Sequence, residues 1–157
     1  MDQKSTIRIS KALEEAIRAH GQQTYPNECC GALLGRDSSS LTGEREITEI
    51  LPLKNQHEDS PRNRFILTPG DVREAEAYSK RSGVELLGWY HSHPDASARP
   101  SEFDREHAWP WYSYVIVSVK AGCAEEMNSW RLVDDRSRYD SEKIEINDRA
   151  EATKSIG

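Results

Sequence analysis

Two histidines two residues apart close an apolar run, and this placement constrains the fold more than any other stretch. The run is Val84-Glu85-Leu86-Leu87-Gly88-Trp89-Tyr90, followed by His91-Ser92-His93-Pro94. It predicts a strand, in which residues i and i+2 point to the same face. His91 and His93 then aim two imidazoles at one point, while Ser92 faces away. Pro94 cannot continue a central strand, so a turn is expected there. Pro100-Ser101-Glu102-Phe103-Asp104 follows, with Ser101 and Asp104 one helical turn apart. Two neutral imidazoles and one carboxylate make a three-ligand set of the kind catalytic zinc uses, with the fourth position left for water. The same donors also suit non-haem iron.

Hydrolysis at such a centre needs a base that takes a proton from the attacking water and hands it to the leaving amine. Glu28 is the candidate. It opens the otherwise apolar stretch Cys29-Cys30-Gly31-Ala32-Leu33-Leu34-Gly35, where an unpartnered carboxylate is costly. Glu102 and Glu106 lie among ordinary charges in a short helix. Ser101 can donate its hydroxyl to a developing oxyanion, an interaction typically worth about 3 kcal/mol of barrier. Each residue also has a structural reading. A His-x-His pair can be a surface or satisfied core feature, and Glu28 alone suits a salt-bridged residue at a strand start. Ser101 to Asp104 is a capping box with Asp in place of Glu. Only their joint occurrence points to metal chemistry.

The remaining chemistry-bearing residues stand apart from this set. His20 falls on a helix face and reads as packing, His57 as solvated, and His107 as surface. Cys29 and Cys30 are adjacent, so in a strand they point to opposite faces and read as small buried hydrophobes. No cysteine-nucleophile motif accompanies the histidines. Trp89, Trp109, Trp111 and Trp130 read as core or groove wall.

Composition bounds the function classes. A chain of 157 residues suits one domain with a real core. A net charge of -6 and a pI near 5.4 argue against a nucleic-acid footprint. No apolar stretch approaches a membrane span, and no apolar signal core follows Met1-Asp2-Gln3-Lys4-Ser5-Thr6. The cysteines Cys29, Cys30 and Cys123 are an odd, small set that suits a reducing cytoplasm.

Periodicity and turn residues give the element order. Ile7 and Ile9 mark a short strand, and Ser10 caps a helix over Lys11 to His20 that Gly21 ends. Strands are expected over Glu28 to Gly35 and, half-exposed, over Glu44 to Leu53, with a surface turn at Asp37 to Ser40 between them. Lys54 to Arg64 reads as a loop and Phe65-Ile66-Leu67 as a short strand. Thr68 caps a helix with Pro69 at its first position, with Val72, Ala75, Tyr78 and Ser79 facing inward; it runs to Ser82 and stops at Gly83. After the histidine strand, a helix starts at Ser101. Further strands are expected at Tyr112 to Val119, Ser129 to Val133 and Lys143 to Ile146. This order predicts a mixed α and β domain with helices on the faces of the sheet.

Glu28, His91-Ser92-His93-Pro94, Pro100-Ser101 and Asp104 together resemble the JAMM motif of MPN-domain metalloproteases. That motif is an upstream glutamate, then H-S-H-P, a short spacer, and P-S-x-x-D. The resemblance extends over roughly Ile7 to Ile146. It implies an α+β fold: a single JAB1/MPN domain over residues 1–146, with a mixed curved sheet and helices packed on its faces. Residues 147–157 would then be a disordered tail. It further implies one Zn2+ per chain held by His91, His93 and Asp104, with Glu28 as general acid/base and Ser101 steadying the tetrahedral intermediate. No position of the motif is missing, which argues against the family's non-catalytic, protein-binding members. The short chain is similar to the compact prokaryotic branch. The implied partner is a ubiquitin-like or sulfur-carrier protein with a Gly-Gly tail, cut at a peptide or isopeptide bond. A substrate tail adding as a strand beside a sheet edge would fit this chemistry.

Overall fold

The computed structural model describes residues 5–54 and 67–147. Among the described residues the first strand, β1 (Thr6–Ser10), buries Ile7 and Ile9 by simple alternation. Ser10 ends it and caps α1 (Lys11–Thr24), its hydroxyl accepting the Leu13 N–H at 3.1 Å. The helix passes through Gly21 instead of stopping there. A Cβ at Gly21 would meet Val119 Cγ2 at 3.0 Å and Ser92 Cβ at 3.4 Å. The glycine therefore marks where the helix backbone meets the sheet, not where the helix ends.

The next strand, β2 (Cys30–Ser38), starts later and ends later than the expected 28–35. Its pairing with β3 (Glu44–Leu53) runs out to Ser38 opposite Glu44. The expected turn at 37–40 is thus strand end plus a single helical turn, α2 (Ser39–Thr42), closed by Gly43 at φ +78°. The bounds of β3 agree with expectation. Of the loop expected over 54–64, all but Lys54 lies outside the described residues, as do Phe65 and Ile66; Leu67 is described and is not in a strand.

The helix α3 (Pro69–Ser82) follows its sequence signals closely. Thr68 and Asp71 form a capping box, and Gly83 closes the helix at φ +71°. Ala75 is buried, with Val72 and Tyr78 packed beside it. After it come β4 (Glu85–Pro94), α4 (Glu102–His107), β5 (Ser113–Lys120), β6 (Cys123–Leu132) and β7 (Tyr139–Asn147). Strands β6 and β7 begin well before their apolar runs, because β6 continues its ladder with β5 down to Lys120 opposite Cys123. Asn147 ends β7, and residues 148–157 lie outside the described residues. Pro94 stays in its strand, paired in parallel with Val119. It is tolerated because the ladder to β2 has already ended at Cys30 opposite His91. The turn comes one residue later, at Asp95 with φ +57°.

The mixed sheet does more than curve. Its order is β1-β3-β2-β4-β5-β6-β7, and β1 pairs in parallel with both β3 and β7, which closes it into a barrel. Side-chain alternation divides the core in two. Ile17 of α1 packs with Ile9, Cys29, Leu33 and Tyr90 on one side of the sheet. Ala75 of α3 packs with Cys30, Leu34 and Trp89 on the other. The expected opposition of Cys29 and Cys30 is therefore present.

The half-exposed strand β3 holds an unexpected charge. Arg45 is fully buried, donating from Nη1 to the Leu87 carbonyl at 3.2 Å and to Ser113 Oγ at 3.1 Å. Asp37 lies 3.6 Å from its Nε, and Trp111 stacks 4.0 Å over the guanidinium. Here β4 and β5 approach closely at Gly88, where a Cβ would stand 2.0 Å from the Ser113 carbonyl oxygen. Gly88→Ala is expected to destabilise the fold by about 2–3 kcal/mol through forced separation of these strands. Urea unfolding checks it; an unchanged midpoint would show that the strands part without cost.

Candidate metal centre

Strand β4 delivers His91 and His93 to the same face as Trp89, and both imidazoles are buried, 3% and 7% exposed. The third side chain arrives from α4. Ser101 caps this helix, its Oγ accepting the Asp104 N–H at 3.0 Å while Asp104 Oδ2 accepts the Ser101 N–H at 2.8 Å. The capping box thus turns the Asp104 carboxylate back toward the histidines. Structural and ligating readings of Asp104 coincide, since one carboxylate faces the helix start and the two imidazoles together.

The connection from Pro94 to Ser101 is fixed at successive residues. Asp95 donates its N–H to the Val119 carbonyl at 2.7 Å, and its carboxylate accepts from Tyr25 Oη at 2.7 Å and the Ala121 N–H at 2.9 Å. Ser118 Oγ donates to the Ala96 carbonyl at 2.6 Å. Asn128 Nδ2 and Trp130 Nε1 both donate to the Ala98 carbonyl, at 3.2 and 3.1 Å. Tyr139 Oη donates to the Asp104 carbonyl at 3.2 Å. A loop held this way positions α4 with the precision a ligand set needs. None of these partners was legible from local sequence, because they come from β5, β6, β7 and α1.

The three ligating groups meet at one point. His91 Nε2 and His93 Nε2 are 3.3 Å apart, His93 Nε2 is 3.1 Å from Asp104 Oδ2, and His91 Nε2 is 3.4 Å from Asp104 Oδ1. Zinc bonds of 2.0–2.1 Å in a tetrahedron imply ligand-to-ligand edges of about 3.3–3.4 Å. The imidazole-to-imidazole edge has that size, and each imidazole lies 3.1–3.4 Å from one or the other Asp104 oxygen. His93 Nδ1 faces the Ser97 carbonyl at 2.8 Å, so it carries the proton and leaves Nε2 with a lone pair toward the centre. Two imidazole Nε2 atoms and a carboxylate facing one another form a donor set that fits a divalent cation. Among the described residues this is the one group of three or more such side chains close enough to hold a metal ion.

The charges of the set are mutually reinforcing. Burial opposes ionisation of Asp104, but the adjacent His91 and His93 outweigh it and hold its carboxyl well below the usual range. Burial likewise opposes charge on His91, while Asp104, and after it Glu28, raise its pKa. The Glu28 carboxylate is therefore close enough to be felt at the imidazole. Glu28 is half-buried and stands just outside β2, two residues before Cys30, which pairs with His91. It is not among the three converging groups. Ser101 is exposed; its Oγ accepts within the cap, so its proton stays available to another acceptor.

The remaining residues fall elsewhere. His20 Nδ1 meets Tyr90 Oη at 2.8 Å on the opposite face of β4, and exposed His107 bonds the Phe103 carbonyl at 2.9 Å. His57 lies outside the described residues. Burial pushes the Cys29 thiol up to about 11, and Cys30 further, so neither is a thiolate nucleophile. Trp89 is core, Trp130 braces the loop, and Trp109 and Trp111 are exposed by 60% and 45%. Strand β4 is paired on both sides, to β2 and β5. The expected addition of a substrate strand beside the ligands therefore has no free edge on β4. No helix among the described residues is long and apolar enough to cross a membrane.

Residues 10–133 match a family described as prokaryotic homologs of the JAB domain. Among curated relatives, the desampylase of Haloferax volcanii is 32% identical over 119 residues, 73% of this chain and 81% of that protein. A Thermus thermophilus protein named "Probable TtuB-protein conjugate cleaving protease" is 34% identical over 111 residues, 71% of this chain and 69% of that one. The CysO-cysteine peptidase of Mycobacterium bovis is 32% identical over 127 residues, 80% of this chain and 82% of that one. Among solved structures, a protein from Desulfitobacterium hafniense superposes with a TM-score of 0.77 at 31% identity, covering 91% of this chain and 94% of its own. A JAB1/MPN domain protein from Archaeoglobus fulgidus matches at the level of fold, with a TM-score of 0.56 at 18% identity over 90% of this chain and 97% of its own.

Proposed function

Because the chain belongs to the prokaryotic JAB-domain family, we propose that it is a zinc-dependent peptidase, one domain over residues 1–146. It cuts a peptide or isopeptide bond after the C-terminal Gly-Gly of a ubiquitin-like or sulfur-carrier protein. The observation that carries this reading is the convergence of His91 Nε2, His93 Nε2 and the Asp104 carboxylate, each imidazole 3.1–3.4 Å from an Asp104 oxygen. The relatives' names support the substrate class, since they describe cleavage of TtuB conjugates and of a CysO–cysteine adduct.

His91, His93 and Asp104 would hold Zn2+, which supplies Lewis acidity and lowers the pKa of water bound to it to about 7. Glu28 takes the proton of the attacking water and returns it to the leaving amine nitrogen. Ser101 donates its hydroxyl to the substrate oxygen as negative charge builds there. The Asp104 carboxylate would supply the negative charge that offsets the cation. His93 is held in the ligating tautomer by the Ser97 carbonyl.

The test is a cleavage assay. The purified protein is offered a sulfur-carrier protein extended beyond Gly-Gly, and the mass of the product is read. Loss of the extension, abolished by a chelator and restored by zinc, is the expected result. Cleavage that continues undiminished in excess chelator would overturn the zinc reading.

A further inference from the structure

Ser92 takes no part in the ligand set, yet it ties together the two segments that carry the site. As far as Cys30 opposite His91, β2 and β4 pair backbone to backbone. One residue further out the pairing changes character. The Ser92 N–H still donates to the Cys29 carbonyl at 3.2 Å. The Cys29 N–H, however, donates to the Ser92 hydroxyl Oγ at 2.8 Å, where a regular antiparallel pair would use the Ser92 carbonyl. A side-chain hydroxyl thus stands in for the backbone acceptor. Glu28, the next residue outward, lies beyond the end of β2.

The clamp is buried and braced. Ser92 is 0% exposed and Cys29 2%. Helix α1 lies against the serine at Gly21, so closely that a Cβ there would stand 3.4 Å from the Ser92 Cβ. The two bonds between Ser92 and Cys29 tie β4 to the residue that precedes β2 and follows Glu28.

We infer that Ser92 is a positioning residue: its hydroxyl fixes the Cys29 amide and so sets where the Glu28 carboxylate stands relative to His91, His93 and Asp104. This rests on the reading of Glu28 as the acid/base. Removing the hydroxyl frees the Cys29 N–H to pair with the Ser92 carbonyl, which draws Glu28 into the ladder and away from its working position. The metal ligands stay on β4 and α4 and are not disturbed.

The experiment compares Ser92→Ala and Ser92→Thr with the native protein in four readouts: zinc affinity by chelator competition, hydrogen exchange at the Cys29 amide in the zinc-free protein, kcat and KM. Ser92→Ala is expected to hold one zinc with affinity within threefold of native and to keep KM within threefold. Its kcat should fall at least 30-fold and its Cys29 amide should exchange at least tenfold faster. Ser92→Thr, which keeps the hydroxyl, should restore both. A zinc-loaded Ser92→Ala with kcat within threefold of native would overturn the inference. So would loss of zinc, which would make the serine a support for the ligands instead. Should Ser92→Ala not fold, Ser92→Cys keeps the volume with only a weak acceptor, and under reducing conditions it carries the same expectation. In a Glu28→Gln background, Ser92→Ala should cause no further loss. If Glu28→Gln alone were fully active, the acid/base reading would fail, while Cys29 exchange would still report on the clamp. An inactive Glu28→Gln beside an active Ser92→Ala would remove only the inference about Ser92.

Discussion

Glu28→Gln is expected to abolish turnover while leaving the metal in place. Glutamine keeps the size and polarity of the side chain but cannot take up a proton, so the attacking water is no longer activated and the leaving amine is expelled unprotonated. General acid/base groups typically contribute 10²–10⁴-fold, and a loss of that size in kcat is predicted. Glu28 lies outside the three converging groups and on a different segment of chain. Zinc content should therefore stay at about one per chain. Activity within threefold of native in a zinc-loaded Glu28→Gln would remove this residue from the mechanism.

The second large effect is at Asp104, where two roles must be separated. Asp104→Ala removes a ligand and also the acceptor of the Ser101 N–H, while Asp104→Asn removes the charge but keeps an oxygen for the cap. If Asp104 is a ligand, both variants lose zinc, with affinity down more than 100-fold and activity lost with it. The thermal stabilisation that zinc confers on the native protein should vanish in both, since only binding to the folded state raises Tm. In the zinc-free proteins both variants lose the pairing of Asp104 with the histidines, so the difference between them reports the cap: Asp104→Ala should be less stable than Asp104→Asn by about 1 kcal/mol. Undiminished zinc affinity in Asp104→Asn would leave Asp104 as a cap only. The direction follows from charge: the Asp104 carboxylate is the group of the three that would neutralise a cation held there.

The parts of this account that were legible in the sequence are those fixed by local chemistry. The helix α3 was readable to its ends because Thr68, Pro69, Asp71 and Gly83 each act within a turn of their own position. The convergence of His91, His93 and Asp104 was readable because a strand period of two and a one-turn cap are short-range rules. What was not legible depends on contacts between distant segments. Gly21 reads as a helix stop from its intrinsic preference, but the helix continues because the glycine is where α1 meets β4 and β5. Nothing in the half-exposed strand Glu44 to Leu53 marks Arg45 for burial, which depends on acceptors from Asp37, Leu87 and Ser113 and on Trp111 stacked above. Barrel closure rests on β1 finding both β3 and β7, and no feature of Thr6–Ser10 announces two partners. Ser92 was read as merely facing away from the metal, and its bond to the Cys29 amide needs the register of two strands 63 residues apart.

The most direct measurement is zinc K-edge X-ray absorption on the protein purified without chelator. Two imidazole nitrogens and oxygen ligands at about 2.0–2.1 Å, with imidazole scattering lost in His91→Ala and in His93→Ala, is the result predicted. A sulfur shell at about 2.3 Å would contradict the account, because it would move the metal to cysteine and away from His91, His93 and Asp104.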